Sequence, residues 1–300
     1  MISTNASTTT SWWICIFLCA GFFSNPTAGN AQTSSTADAL FAEGKWQEAS
    51  LEYERSIYHG LNPAERTIAL LSKAECLKRS DELSEAASTL TRVPYPDIHD
   101  TLAVKARYQS ALVAYLRADF KQAESEMLQM AFYTRDTLLY REYLFLKVLV
   151  LNEQGKWKEA HTALEEMIIH SDAGREVKDS LMQLAGKWYS DKSIPKLKKA
   201  ETAQKWATFL PGSGHIYAGY VGEGIMNFAL QAASLGMIGY HIYISHFFTA
   251  FTVGSGFFQH FYFGGINRVQ FLVEKRNYKN KRAFNEPMKL IVLDMQQRLY

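Results

Sequence analysis

The sequence predicts an all-α protein in which a helical solenoid of four 37-residue repeats plus a closing helix precedes a two-helix transmembrane hairpin. Three observations predict this order: an apolar run near the amino terminus, a repeat that keeps one phase from residue 37 to 189, and two apolar segments near the carboxyl terminus. Charged residues avoid both apolar regions, since only Asp38 and Glu43 lie in 1–44 and only Glu223 lies in 206–267. The mean hydropathy of -0.17 therefore averages over three unlike parts.

The amino-terminal run predicts an export signal. Residues 12–23 (WWICIFLCAGFF) are too few to cross a hydrocarbon core of about 30 Å but suit the apolar core of a signal peptide. Small residues follow, so residues 1–31 are predicted to be a signal peptide cleaved after Ala31, with Ala28 as the alternative site. No Lys or Arg precedes Lys45, which leaves a retained N-terminal anchor as the other interpretation.

The repeat is clearest in two nearly identical phrases, GKWQEA at 44–49 and GKWKEA at 155–160, which lie three 37-residue periods apart. Intermediate copies begin at Asp81 and Ala118, where that period places them. Each unit is predicted to contain two helices joined by a turn. Neighbouring pairs are expected to stack, because neither helix can bury its apolar stripe alone.

This pattern resembles the tetratricopeptide-repeat family, whose turn glycine, aromatic residue and Glu-Ala are matched by Gly44, Trp46, Glu48 and Ala49. The family's usual period is about 34 residues, so the extra residues are expected to lengthen the turns between repeats. The middle two copies depart from the pattern, since they lack the glycine. The resemblance covers about half the chain and implies a solenoid over 32–190 that ends in a helix at 176–189.

Arrays of this kind present a concave surface to a peptide or partner protein. Polar and aromatic positions on the first helices are therefore the predicted partner-binding residues: Lys73, Lys78, Arg107, Tyr108 and Tyr115. The alternative for each is an exposed surface position or packing between repeats.

Residues 206–267 are predicted to form the membrane hairpin. The segments Gly224–Tyr243 and Phe247–Ile266 are each twenty residues long, about the length that crosses a bilayer as a helix. A lipid bilayer is accordingly a predicted partner through 224–266. A buried pair of soluble helices is the alternative.

A glycine-rich motif marks this hairpin, with Pro211, Gly212, Gly214, Tyr217, Gly219 and Gly224 before or at the first span and Asn267 after the second. It resembles the Pro-Gly-x-Gly-x-x-Tyr-x-Gly signature of small bacterial membrane domains related to the TM2 domain, and Asn277 resembles their terminal asparagine. One departure is that Ile266 separates Gly265 from Asn267. The resemblance implies a tight turn at the membrane interface anchored by Tyr217, and it implies no reaction.

Basic residues cluster in the linker 191–205 and in the tail 268–300, on both sides of the hairpin. Two spans put both clusters on one side, which the positive-inside tendency assigns to the cytoplasm. A cleaved signal would instead export the repeats and both clusters. The favoured prediction is a bacterial inner-membrane protein with periplasmic repeats, and the alternative keeps the repeats cytoplasmic with an uncleaved N-terminal anchor.

Composition and motifs narrow the function. A net charge of +2 without a basic, aromatic-bearing patch disfavours nucleic-acid binding. No paired carboxylates, nucleophile with base, or metal-ligand spacing stands out, so no enzymatic activity and no catalytic, cofactor-binding or metal residues are predicted. The predicted function is a membrane-anchored helical-repeat scaffold that binds a protein or peptide partner at the bacterial cell envelope. The alternative is a membrane-active accessory of assembly, insertion or transport whose hairpin is the functional part; oligomerisation is left open.

Overall fold

The computed structural model describes residues 35–131 and 137–299, which form helices and turns without any β-strand. The all-α class is therefore confirmed for the described residues. The chain divides into two compact units, the first ending at Met182 and the second running from Gln183 to Arg298. The predicted signal peptide lies outside the described residues, so cleavage after Ala31 and the periplasmic location that depends on it stay predictions.

Consecutive helices of the first unit pack against one another along the chain. They are α1 (Ser35–Ala42), α2 (Trp46–Tyr58), α3 (Pro63–Arg79), α4 (Leu83–Leu90), α5 (Asp100–Leu116), α6 (Phe120–Ala131), α7 (Thr137–Gln154) and α8 (Trp157–Ile169), with a short 3₁₀ turn at Tyr95–Asp97. Helix α9 (Arg175–Trp188) lies within one residue of the predicted closing helix at each end and contains the division between the units.

The helix boundaries repeat every 37 residues. The second helix of each pair begins at Trp46, Leu83, Phe120 or Trp157, and the first helix of the second and third pairs begins at Pro63 or Asp100. The loops between the first three pairs span residues 59–62 and 91–99. The phase read from the sequence is thus the phase of the helices.

The two helices of each pair are joined by the same left-handed turn. Its central residue has a positive φ in all four copies, namely Gly44 (78°), Asp81 (62°), Ala118 (59°) and Gly155 (78°). The N–H of the next residue donates to a carbonyl five residues earlier, as from Lys45 to Leu40 (3.0 Å) and from Lys156 to Leu151 (2.9 Å). This is the Schellman cap, in which glycine is favoured because it has no Cβ. The copies without glycine keep the turn and its strain.

Small side chains at fixed register allow the helices to approach closely. The repeated alanine of the second helix is fully buried in every copy, as is the small residue of the first helix: Ala49, Ala86, Ala123 and Ala160, and Ala37, Ala74, Ala111 and Val148. Four residues beyond each repeated alanine, a larger buried side chain fills the space between neighbours: Tyr53, Leu90, Met127 or Leu164. These residues pack in successive clusters along the repeats, and each cluster joins neighbouring helix pairs: Cys76 packs with Ala37, Ala49 and Tyr53, and Val113 packs with Ala74, Ala86 and Leu90.

The second unit contains α10 (Ala200–Phe209), α11 (Ser213–Ala218), α12 (Val221–Tyr243), α13 (Phe247–Thr249) and α14 (Ser255–Leu299), with a π turn at Ala250–Gly254. Its apolar core joins α10, α11 and α14 through Ala203, Ala207, Ala218, Val269, Leu272 and Val273. The predicted break between the two apolar segments coincides with the end of α12, where Ser245 has a positive φ of 59°.

The transmembrane hairpin predicted from the sequence is wrong. Among the residues that the structure describes, no helix combines the length and the apolar character needed to cross a membrane. The segment Gly224–Tyr243 has the length but includes Asn227, Gln231 and His241, which lower its hydropathy without adding formal charge. The segment Phe247–Ile266 is divided among α13, the π turn and the start of α14.

Candidate functional site

A groove in the first unit is lined by one face each of α6, α7 and α8. Its volume is about 340 Å³, at the lower end of the range of ligand sites. The lining residues recur at spacings of three and four along each helix, as expected for a single helical face. They are Glu124, Met127 and Leu128 on α6, Tyr143, Lys147, Val150 and Leu151 on α7, and Glu159, Thr162, Ala163 and Glu166 on α8.

The inner surface of the groove is apolar and tightly held. Met127, Val150, Leu151 and Ala163 are each at most 5% exposed, so their positions are set by the core. Leu128 differs, because 62% of its surface is exposed. An isolated exposed leucine needs no explanation, but this one borders a concave apolar surface that a partner side chain could fill.

Three carboxylates surround that apolar surface. Glu124 accepts hydrogen bonds from Lys156 Nζ (2.5 Å) and Gln154 Nε2 (2.8 Å), and the bond from Lys156 lowers the pKa of this carboxyl. Glu166 accepts a hydrogen bond from the Tyr140 hydroxyl, and burial together with that bond raises the pKa of Tyr140 to about 12. Because of this raised pKa, Tyr140 stays a neutral hydrogen-bond donor that orients Glu166. Glu159, the third carboxylate, lies exposed on the same face of α8.

The repeat register shows which lining residues are peculiar to this groove. Leu128 occupies the position held by Glu54, Thr91 and Glu165 in the other copies, and Tyr143 occupies that of Ala69 and Ala106. The fold accepts polar or small side chains at these positions elsewhere. The apolar and aromatic residues here are consequently not required by the helix packing common to all copies.

Two of the predicted partner-binding residues make ion pairs between or within helices. Lys73 Nζ lies 2.8 Å from Glu54 Oε2. Lys78 is 5% exposed, and its Nζ lies 2.6 Å from both Glu75 Oε2 and Gln109 Oε1. Both lysines thus have partners within the array.

The other three predicted residues lie on α5. Arg107 pairs with Glu126 (2.8 Å), and its guanidinium lies 3.6 Å from the centre of the Tyr95 ring. Tyr108 and Tyr115 are 2% and 6% exposed. None of the five lines the α6–α8 groove. Their role in binding a partner stays a prediction, and sequence reasoning missed the groove residues, whose signal was their departure from the repeat register.

The glycines of the predicted membrane-turn motif lie at close contacts within the second unit. A Cβ on Gly224 would lie 2.7 Å from the Gly212 carbonyl oxygen, and one on Gly214 would lie 2.7 Å from the Ala207 Cβ. Gly212 and Gly219 have positive φ values of 83° and 90°. These glycines therefore allow α11 to pack closely against α10 and α12.

Tyr217 and Gly219 lie at the contacts that α11 makes with the preceding linker and with α14. Lys198 Nζ donates to the Tyr217 carbonyl and lies 4.7 Å from the centre of its ring. Arg276 donates to the Ala218 carbonyl (3.0 Å), beside Gly219. Pro211 is partly buried and Asn267 is exposed.

Asn277, the other asparagine singled out in the sequence, hydrogen-bonds with the main chain of Lys198. Its Oδ1 accepts from the Lys198 N–H (2.9 Å), and its Nδ2 donates to the Lys198 carbonyl (2.7 Å). The motif and its asparagine thus make the internal contacts of a small helical unit.

In the described part of the chain, no three His, Cys, Asp or Glu side chains lie close enough together to hold a metal ion. His241 and His246 stack with ring centres 6.2 Å apart, and no acidic or cysteine ligand completes the pair. Comparisons of this chain with protein-family models, with curated proteins and with solved structures find no match.

Proposed function

We propose that the first unit is a tetratricopeptide-like scaffold that binds a segment of a partner protein in the groove formed by α6, α7 and α8. The observation that carries this proposal is Leu128, a 62% exposed leucine at the edge of a 340 Å³ groove, at a register position that is polar in the other copies. An exposed apolar residue beside a concave apolar surface is typical of the anchor point of a protein interface.

The fixed geometry of the groove supports the same function. Met127, Val150, Leu151 and Ala163 belong to the buried core, and Lys156, just before α8, forms an ion pair with Glu124 on α6. A preformed groove loses little conformational freedom when a segment binds, and grooves between helices commonly accept one apolar face of a partner helix.

The proposal is tested by replacing Leu128 with lysine in the full chain and comparing the proteins retained on the immobilised variant and wild type. Leu51→Lys is the matched control, since Leu51 is also exposed (66%) and lies outside the groove. We expect a partner that is retained by wild type and Leu51→Lys and is lost from Leu128→Lys. Retention of the same proteins by all three chains would show that the groove is not the binding site.

A second candidate function, contact with a lipid bilayer, is favoured by the distribution of side chains on α12. The buried residues of this helix are Gly224, Gln231 and Ser234, whereas its exposed surface carries large apolar side chains: Ile225, Met226, Phe228, Leu235, Tyr240, Ile242 and Tyr243. This reverses the usual pattern of a helix exposed to water, and a large exposed apolar patch is typical of a protein or membrane contact.

The exposed aromatic residues continue beyond α12 at Phe247, Phe248 and Phe251. Exposed lysines at 205, 275 and 279 could bind anionic headgroups. This second proposal is of contact with a bilayer surface and includes no crossing of it.

Flotation of the full chain with vesicles of phosphatidylcholine and phosphatidylglycerol tests this contact. Phe248→Glu with Phe251→Glu should leave the protein unbound, whereas Leu290→Glu, at another exposed apolar position, should float like wild type. Flotation of the double variant at the wild-type level would contradict the contact.

A further inference from the structure

We infer that the α6–α8 groove selects a helical partner segment with a basic side chain on each side of an apolar residue, the two cations being about 10 Å apart. The inference deepens the proposed binding function and rests on it. It names the chemistry of the segment rather than the existence of the site.

The charges of the lining favour cations. Lys156 neutralises Glu124 at 2.5 Å. Glu159 and Glu166 have no ion-pair partner within 35–131 or 137–299, although Glu166 is oriented by Tyr140. Lys147 is the basic lining residue, and its Nζ lies 5.5 Å from the centre of the Tyr143 ring. The lining therefore stays negative when Lys156 is included.

The two carboxylates without an ion-pair partner among the described residues have a defined spacing. Glu159 and Glu166 lie seven residues apart on α8, which corresponds to about 10 Å along a helix of 1.5 Å rise per residue. Thr162 and Ala163 lie between them on the same face, next to the apolar surface. A helix laid along α8 with basic residues at i and i+7 has matching spacing and presents an apolar residue between them.

The repeat register shows that this pair of carboxylates is not a requirement of the fold. The same two positions hold Glu48 and Arg55 in the first copy, Glu85 and Arg92 in the second, and Gln122 and Gln129 in the third. Arg55 and Arg92 form ion pairs within the array, with Glu52 and Glu54. Two negative charges at these positions occur only in the fourth copy, whose second helix is α8.

The test measures binding of three synthetic helical peptides to the full chain by fluorescence anisotropy. The peptides share a central leucine and differ at positions i and i+7, which are both lysine, both glutamine or both glutamate. Wild type is compared with Glu159→Gln plus Glu166→Gln, and with Glu48→Gln plus Glu85→Gln. The control variant changes the net charge by the same amount as the groove variant. Its two glutamates occupy the position of Glu159 in the first and second copies and lie outside the groove.

We expect the lysine peptide to bind wild type about three- to tenfold more tightly than the glutamine peptide, with the glutamate peptide weaker still. The preference should vanish in the Glu159 and Glu166 variant, persist in the control, and decrease with added salt.

Equal binding of all three peptides, abolished by Leu128→Lys, would overturn the charge preference and leave the proposed groove function intact. Binding of none of them would also overturn the inference. The proposed function would then be judged by the Leu128→Lys retention experiment alone.

Discussion

A Cβ atom on Gly212 would overlap the carbonyl oxygen of Gly224, so the turn before α11 and the first turn of α12 are in contact through their main chains. Gly212 also has a φ of 83°, a conformation that residues with a Cβ adopt at a cost of about 1–2 kcal/mol. The pair gives a packing explanation for two glycines of the motif that the sequence linked to a membrane turn.

Gly212→Ala should destabilise the second unit by at least about 2 kcal/mol, because the backbone strain and the overlap act together. Gly222→Ala is the matched control, since a Cβ there meets no atom within 4 Å and alanine favours the helix by about 1 kcal/mol. Hydrogen exchange of amides 212–224 reports the local stability. Similar protection in both variants would argue against the close contact.

Ala118→Gly should stabilise the first unit by about 1 kcal/mol, because it relieves a left-handed residue with a φ of 59°. Ala87→Gly, inside α4, should have the opposite effect by about the same amount or more. Urea-induced unfolding followed by circular dichroism measures both changes. Destabilisation by Ala118→Gly would show that the turn carries no relievable strain.

Replacing either partner of the buried ion pair between Lys78 and Glu75 should destabilise the first unit, but by unequal amounts. Glu75→Gln leaves the Lys78 ammonium buried beside an amide, which should cost about 3–5 kcal/mol. Lys78→Met should cost less, because Arg79 Nε still lies 2.9 Å from Glu75.

The exposed pair of Lys45 and Glu43 provides the comparison for this buried pair. Lys45→Met should leave the free energy of unfolding close to that of wild type, because both side chains of this pair are exposed to solvent. Urea unfolding ranks the three variants, and a larger loss in Lys78→Met than in Glu75→Gln would contradict the argument.

Glu142 makes stability depend on pH. Burial raises the pKa of its carboxyl from an ordinary value of 4.5 to about 7, and the positive charge of Lys105 opposes this only in part. Between pH 4.5 and about pH 7, the folded chain therefore keeps a proton on Glu142 that the unfolded chain has released. Stability should fall by about 3 kcal/mol as the pH rises through that interval, and the loss should be complete above pH 7.

Glu142→Gln should remove this component, since an amide does not titrate. The difference in unfolding free energy between the variant and wild type should be near its minimum below pH 4.5 and grow in favour of the variant towards pH 8. A difference that stays constant over this range would mean that Glu142 is solvated in the folded chain.

The repeat array could be predicted in detail because its signal is periodic. One physical demand, a small buried residue where two helices cross, recurs every 37 residues, and Ala49, Ala86, Ala123 and Ala160 satisfy it. The helices therefore start where the sequence phase predicts. The left-handed turn at Asp81 and Ala118 was not evident from residue type, because neither residue requires a positive φ.

The sequence predicted the hairpin wrongly and did not predict the groove, for different physical reasons. Counting formal charges made 224–266 resemble two spans, but Asn227 and Gln231 are polar without being charged, and Asn227 donates to the Phe261 carbonyl inside the unit. The groove combines one face from each of three consecutive helices. Its members could be singled out as departures from the register, but their convergence depends on how the helices stack.

Site-specific photo-crosslinking tests the central claim most directly. A benzoylphenylalanine residue would replace Leu128 or Thr162 in the groove, or Leu51 or Ile68 elsewhere on the first unit, in the full chain inside its native cells. We predict a shared adduct with one partner protein at Leu128 and Thr162 and its absence at Leu51 and Ile68. The same adduct at Leu51 and Ile68, or its absence from both groove positions, would contradict the claim that this groove binds the partner.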